Sequence, residues 1–294
     1  MARIDVIFEA VQAQGASDLH LSTGAPPMIR RHGEMEPIPY QELTRELTEL
    51  LLLEIMGDRQ REDFAKRRDV DFSYEVPGRF RVRCNVYEEN RGLAGAFRLL
   101  PSSILTLEQL GLPASLGDLT DARRGLVLVT GPPGSGKSTT LAALVDHLNQ
   151  RQNRHIITIE DPIEYVHANR RCLIHQREVG HHTPSFADAL RAALREDPDT
   201  ILVGEMRDRE TMGLALTAAQ TGQLVLGTLH TTSAAETVER IVDTFPADLQ
   251  GQARGALASS LRAVVAQRLL KRADEKGRVA AVEILLGTPA VSAL

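Results

Sequence analysis

The chain has 294 residues, enough for one large or two ordinary domains, and its 43% hydrophobic and 25% charged residues describe a globular protein. A net charge of -5 argues against a general nucleic-acid binder, and only four of the 34 basic residues are Lys. Two distant cysteines, Cys84 and Cys172, supply neither a disulfide framework nor a cysteine zinc site, and fit a reducing compartment.

No apolar run approaches the ~20 residues of a membrane span, and the start lacks a signal peptide's apolar core. The expectation is a cytoplasmic protein that meets a membrane, at its inner face, only through a partner. The first hundred residues mix short strands with helices. Asp18 to Ser22 and Phe80 to Tyr87 alternate polar and apolar residues at the strand period. Leu43 to Ile55 carries Leu at helical spacing, and a charged, exposed stretch follows from Asp58 to Arg68. Turns fall at Gly24-Ala-Pro-Pro27 and Pro77-Gly78. This predicts a small α+β domain over 1–100 with an antiparallel sheet.

Pro101-Ser-Ser and Gly111-Leu-Pro113 bracket a linker, 101–113, and a different rhythm occupies 114–294. Four short, nearly continuous apolar runs (Leu126–Thr130, His155–Ile159, Thr200–Val203, Leu224–Leu229) alternate with helical stretches. Such runs suit a parallel sheet buried on both faces, the α/β arrangement.

The first run leads into Gly131-Pro-Pro-Gly-Ser-Gly-Lys-Ser-Thr139, and a helix from Ser138 to about Asn149 follows. Strand, Gly-x4-Gly-Lys-Ser and helix together make a phosphate-binding loop. Backbone N–H groups wrap the phosphates, and the helix N-terminus adds partial positive charge. Pro132 and Pro133 have no N–H, so the donors come from Gly134, Ser135, Gly136 and onward. Lys137 is expected to reach the β- and γ-phosphates and Ser138 to coordinate Mg²⁺, with Thr139 completing an ATP-binding set that starts at Gly131.

Hydrolysis also needs something to orient or deprotonate water. Carboxylates follow two later runs, at the edge where α/β sheets place ligands: Glu160-Asp161-Pro-Ile-Glu164 and Glu205. In a typical Walker B motif an Asp follows the apolar run and helps hold the metal; here Gly204 stands there and Glu205 keeps the water-activating position. Glu160, Asp161 or Glu164 would fill the metal-side gap, directly or through water. The bland alternative is that Asp161 and Glu164 merely open a helix. Thr228 and His230 end another strand, within reach of a γ-phosphate. His181 and His182 are adjacent, expected to point apart, and lack the further ligands a zinc site needs. Ser185-Phe-Ala-Asp188 caps a helix running to Leu194. Arg195 and Arg207 either sense the γ-phosphate or tie carboxylates together; the sequence leaves both open.

Taken together these residues resemble the secretion ATPase superfamily, and within it the type IV pilus retraction ATPases of the PilT type. The likeness runs through Ala16-Ser-Asp-Leu-His-Leu21 and Gly24 to Gly33, then the phosphate loop. It continues through Thr158-Ile-Glu-Asp-Pro-Ile-Glu-Tyr-Val-His167, Val203-Gly-Glu-Met-Arg-Asp208 and Thr228-Leu-His-Thr231. It implies a PAS-like domain followed by a RecA-like ATPase domain, assembled as a homo-hexamer with head-to-tail interfaces. It implies ATP and Mg²⁺ as ligands, catalytic glutamates at Glu164 and Glu205, and the box histidine at His230. The family's Arg-x-Arg-x-Asn segment falls on Arg81-Val-Arg-Cys-Asn85, making Arg81 and Arg83 candidates to approach phosphates at a domain or subunit boundary, with Arg91 behind them.

The partner it implies is a pilus platform protein of the inner membrane, and the function is pilus retraction in twitching motility. Readings kept beside it are a pilus-extension or type II secretion ATPase, a DNA translocase, and a regulator that binds nucleotide without hydrolysing it. Four departures bear on the resemblance. Pro133 stands where Thr is common, and Gln223 stands at the family's first box histidine. His182 replaces an Asp, and the C-terminal end, Ala290-Val-Ser-Ala-Leu294, reads as truncated relative to the family.

Overall fold

A computed structural model describes residues 2–31, 33–100, 103–273 and 277–293. The chain divides into two compact units, Met1–Ser102 and Ser103–Leu294. Pro101 and Ser102, the start of the stretch read as a linker, lie outside the described residues.

In the first unit, α1 (Arg3–Ala13) precedes β1 (Asp18–Ser22), β2 (Met28–Arg31) and β3 (Glu34–Pro37). Then come α2 (Arg45–Leu53), α3 (Asp58–Arg67), β4 (Asp69–Val76), β5 (Phe80–Glu89) and β6 (Gly92–Leu99). All six strands form one antiparallel sheet in the order β3-β2-β1-β6-β5-β4. The period-2 pattern of β5 buries Phe80, Val82, Cys84 and Val86 against Phe8 of α1 and Leu52 of α2, leaving Arg81, Arg83 and Asn85 on the other face. The charged stretch after α2 is a helix, α3. Only Phe64 of it is buried, and its last turn carries Lys66 and Arg67, cations that favour a helix C-terminus.

The second unit opens with α4 (Ser115–Asp118). Leu107 and Leu112, from the stretch read as a linker, are buried in the same apolar cluster as Leu116 and Leu144. There follow β7 (Gly125–Thr130), α5 (Lys137–Arg151), β8 (His155–Glu160), β9 (Leu173–Glu178), α6 (Phe186–Ala193), β10 (Thr200–Val203) and α7 (Arg209–Thr221). The remainder is β11 (Leu224–Leu229), α8 (Ala234–Asp243), α9 (Ala247–Ser260), β12 (Leu261–Lys271), β13 (Arg278–Leu286) and α10 (Pro289–Ser292). The sheet order is β13-β12-β7-β11-β10-β8-β9, parallel except for the β12–β13 pair.

The apolar runs behave as their composition requires. Every residue of β7, β10 and β11 is buried, because helices cover both sheet faces. Each fully buried Leu or Val there contributes about 2 kcal/mol by area removed from water. Parallel order brings the C-terminal ends of β7, β11, β10 and β8 side by side along one edge. The phosphate loop, His230 and Glu205 each follow one of these ends, and Glu160 is the last residue of β8.

Candidate active site

The loop after β7 has the local geometry its glycines allow. Gly131, Gly134 and Gly136 take positive φ of 144°, 76° and 89°, a region costly for side chains with a Cβ. Gly136 is the N-cap of α5, so the helix's unpaired N–H groups open onto the loop. Lys137 Nζ donates to the carbonyls of Gly131 at 2.7 Å and Pro132 at 3.2 Å. Burial lowers the Lys137 pKa, opposed by the negative charges of Glu205 and Glu164, so both carboxylates act on the lysine. Ser138 is exposed, and the buried Ser135 hydroxyl has no hydrogen-bond partner among the described residues. Cradle, lysine and helix terminus fit a polyphosphate.

Glu205 follows β10. His230 Nε2 lies 2.6 Å from its Oε1, and Arg207 pairs with both oxygens, Nε to Oε1 at 2.5 Å and Nη2 to Oε2 at 2.6 Å. Burial alone would raise its pKa. Hydrogen bonds and charge from Arg207 and His230 outweigh that and hold the carboxyl below its usual range. Of the two arginines left open by the sequence, Arg207 is thus on the carboxylate, while Arg195 donates to the Arg191 carbonyl past the end of α6. Thr228 Oγ1 donates to the Gly204 carbonyl at 2.5 Å and Met206 N to the Thr228 carbonyl at 3.1 Å, fixing the turn that carries Glu205 against β11.

Gly204 has a steric reason to replace the usual Asp. A Cβ there would lie 3.0 Å from the Ile159 carbonyl oxygen and 3.3 Å from Glu160 Cα. Gln223, at the place of the resemblance's first box histidine, precedes β11, whereas His230 follows it. An extended run of seven residues spans roughly 20 Å, so position 223 and His230 cannot act at one site.

After β8, residues 161–172 form neither helix nor strand, so the reading of Asp161 and Glu164 as a helix start does not hold. The segment contains a cis Asp161–Pro162 bond. Its path is set by side chains from elsewhere. Gln176 of β9 donates to the Tyr165 carbonyl at 2.8 Å and Glu160 Oε1 at 3.1 Å, and accepts from His167 N at 2.8 Å. Asn149 of α5, fully buried, accepts from Arg170 N and Cys172 N, both at 3.2 Å, and donates to the Ala168 carbonyl at 2.8 Å. Tyr165 Oη lies 2.9 Å from Thr139 Oγ1, which ties the residue beside Glu164 to the phosphate loop.

Glu160 accepts from Thr158 Oγ1 at 2.6 Å. Burial raises its pKa to about 7, over the opposing hydrogen bonds of Thr158 and Gln176, with the Glu164 charge adding to the rise. Asp161 is exposed and its charge is felt by Arg207. The charge of Asp161 acts on Arg207 and that of Glu164 on Lys137, so the segment after β8 approaches the sheet edge that carries Glu205.

His181 and His182 do not point apart: their rings meet edge to face with centroids 4.4 Å apart, and His182 Nδ1 accepts from Glu178 N at 2.9 Å. No group of three or more His, Cys, Asp or Glu poised to hold a metal occurs among the described residues. Ser185 caps α6, accepting from Asp188 N at 3.0 Å. Arg81 and Arg83 belong to the first unit. Arg81 donates to Ser73 Oγ at 2.5 Å, and exposed Arg83 stands opposite Arg98 and Ser73 in the register. Gln176, Asn149 and Tyr165 carry no motif signal of their own; only Tyr165, adjoining Glu164, lies inside a stretch the sequence singled out.

Residues 2–290 match the family model described as Type II/IV secretion system protein. The type IV pilus retraction ATPase PilT of Pseudomonas aeruginosa is 56% identical over 278 residues, covering 95% of this chain and 80% of that protein. The twitching motility protein of Neisseria gonorrhoeae is 54% identical over 265 residues, 90% and 71% of the respective chains. Among solved structures, the pilus retraction motor PilT with bound ADP superposes with a TM-score of 0.95 at 48% identity, over 100% of this chain and 85% of that one. The Legionella pneumophila ATPase DotB gives 0.87 at 32%, over 99% and 82%. A match across almost the whole length, to a sheet edge built in this way, has one reading: the chain belongs to the Type II/IV secretion system protein family.

Proposed function

We propose that this chain is a motor ATPase that converts ATP hydrolysis into retraction of type IV pili. The observation that carries the enzymatic part is Glu205, held by His230 and Arg207 on the strand end beside Lys137 and its loop. The identity to a retraction ATPase and a twitching motility protein carries the biological part.

Gly131 and Gly134 to Thr139 grip the phosphates through backbone N–H groups and Lys137. Ser138, with Glu160 and Asp161 acting directly or through water, would hold Mg²⁺, which would supply charge neutralisation at the phosphates. Glu205 orients and deprotonates the attacking water, and Glu164 works from the neighbouring strand end. His230 fixes the Glu205 carboxylate. The Arg207 pair holds that carboxylate ionised, the form a base requires.

In this reading the first unit is a PAS-like domain and the second a RecA-like ATPase domain, joined near residues 101–113. Arg81 and Arg83 reach nucleotide at a domain or subunit boundary of a homo-hexamer. The assembly works on a pilus platform protein at the inner face of the cell membrane. Nucleotide states that favour different angles between units would convert chemistry into movement.

Glu205→Gln tests the catalytic assignment. It is expected to keep nucleotide affinity while phosphate release falls about 10²–10⁴-fold, the range for losing a general base. Unchanged release in the folded variant would remove Glu205 from the chemistry. Deletion of the gene should give hyperpiliated, non-motile cells; bald cells would point to extension instead.

A further inference from the structure

The phosphate loop is held from outside by a residue in none of the family-like motifs. Gln267 lies on β12, which pairs in parallel with β7 up to Ala266 opposite Thr130, so it comes level with the first residue of the loop. Its side chain is 3% exposed. Nε2 donates to the Ser135 carbonyl at 2.7 Å, and Oε1 accepts from Thr140 Oγ1 at 2.7 Å. One amide thereby joins the loop's centre to the first turn of α5. Leu269 on the same strand comes within 3.7 Å of the space a Cβ on Gly136 would occupy, and Gln267 Nε2 within 2.8 Å of it. Position 136 is confined to glycine by this neighbour as well as by its φ of 89°.

The consequence follows from the peptide plane. In a trans peptide the C=O and the following N–H point in opposite directions, and the cis bond among the described residues is Asp161–Pro162. Pinning the Ser135 carbonyl toward β12 therefore aims the Gly136 N–H the other way, out of the β12 side. This matters more here than in an ordinary loop. Pro132 and Pro133 contribute no N–H, so the grip depends on the few donors from Gly134 onward. Lys137, which holds the Gly131 and Pro132 carbonyls, must turn to the phosphates when they bind, whereas Gln267 has no such competing task.

We infer that Gln267 is a positioning residue for nucleotide binding: it pre-orients the Ser135–Gly136 peptide so that the Gly136 N–H meets a phosphate oxygen. This rests on the reading of the loop as a nucleotide site. Preorganisation cuts the ordering cost of binding, so losing it shows as weaker affinity rather than altered chemistry.

The two hydrogen bonds can be separated. Gln267→Glu keeps an acceptor for Thr140 but sets a carboxylate against the Ser135 carbonyl. Gln267→Met keeps the volume and loses both bonds. Thr140→Val removes the Thr140 bond and leaves the Ser135 bond in place. Titration of the full chain with Mg·ADP, by calorimetry, is expected to show about tenfold weaker binding for Gln267→Glu and Gln267→Met, a change of about 1.4 kcal/mol. Thr140→Val should stay within about twofold of wild type, a difference of about 0.4 kcal/mol. KM for ATP should rise in the Gln267 variants with kcat nearly unchanged.

A purely structural role would lower the melting temperature of all three variants without this split. If wild type binds Mg·ADP and the folded Gln267 variants bind it equally well, or if Thr140→Val loses as much affinity as they do, the inference is overturned. Should Gln267→Met not fold, Gln267→Glu against Thr140→Val still decides it. Failure of wild type itself to bind would overturn the nucleotide reading instead, and the positioning role with it.

Discussion

At the scale of single residues, the two acidic groups that matter are tuned in opposite directions. Glu205 is drawn below its ordinary pKa by Arg207 and His230, while burial pushes Glu160 up to about 7. The sign of the second is informative. A carboxyl with a raised folded-state pKa binds more protons folded than unfolded between about 4.5 and about 7, so its contribution to stability falls as pH rises through that window. Glu160→Gln removes the titration while keeping an acceptor for Thr158. The melting temperature of the variant, scanned from pH 5 to 8, is expected to fall less steeply with rising pH than that of wild type. Identical slopes would mean that Glu160 does not titrate there. Gly204 makes a related point, since a Cβ there would press on the Ile159 carbonyl at 3.0 Å, and an Asp would need that neighbouring strand to give by a few tenths of an ångström.

At the scale of elements, β7, β8, β10 and β11 were legible, whereas the parallel strands β9 and β12 and the segment between β8 and β9 were not. Fully apolar runs such as Leu126–Thr130 announce strands buried on both faces, and the bounds found for β10 and β11 are those the runs suggest. Residues 161–172 have no periodicity, and their path depends on amides of the flanking elements, Asn149 of α5 and Gln176 of β9. Asn149 is fully buried and its side chain makes three hydrogen bonds to that segment. Asn149→Ala would leave the buried Cys172 N–H unpaired, with a destabilisation of about 2 kcal/mol expected in denaturant unfolding. Glu164 lies in the segment so anchored, so phosphate release should fall more than nucleotide affinity. A variant with full activity and wild-type stability would refute the anchoring role. The histidine pair shows the reverse failure: adjacency in a loop does not force side chains apart, and His181 and His182 pack ring to ring.

At the scale of the whole molecule, two units have separate cores; Lys137, Glu205 and His230 belong to the second, and Arg81 and Arg83 to the first. Arg81 and Arg83 share the polar face of β5 because strand residues two apart point the same way. If they complete the site at a boundary, the double variant Arg81→Ala/Arg83→Ala should hydrolyse ATP at least about tenfold more slowly, as expected when charges that stabilise the transition state are lost. It should still bind Mg·ADP and sediment as wild type does. Wild-type turnover in that variant would place the arginines outside the chemistry.

Local sequence by itself determined the phosphate loop, its strand and its helix. Glycine φ values, proline's missing N–H and apolar run length act within a few residues. Sequence also placed Glu205, Glu164 and His230 at strand ends. Only tertiary structure decided which of these ends are neighbours, because strand order is a property of the whole sheet: β11 lies beside β7, and β10 beside β8, though neither pair is consecutive along the chain. That order sets His230 and Arg207 on Glu205, Tyr165 on Thr139, and Gln267 behind the loop. Each contact joins residues whose separation along the chain carries no local signal of their meeting, except Arg207, whose nearness in sequence left its partner open.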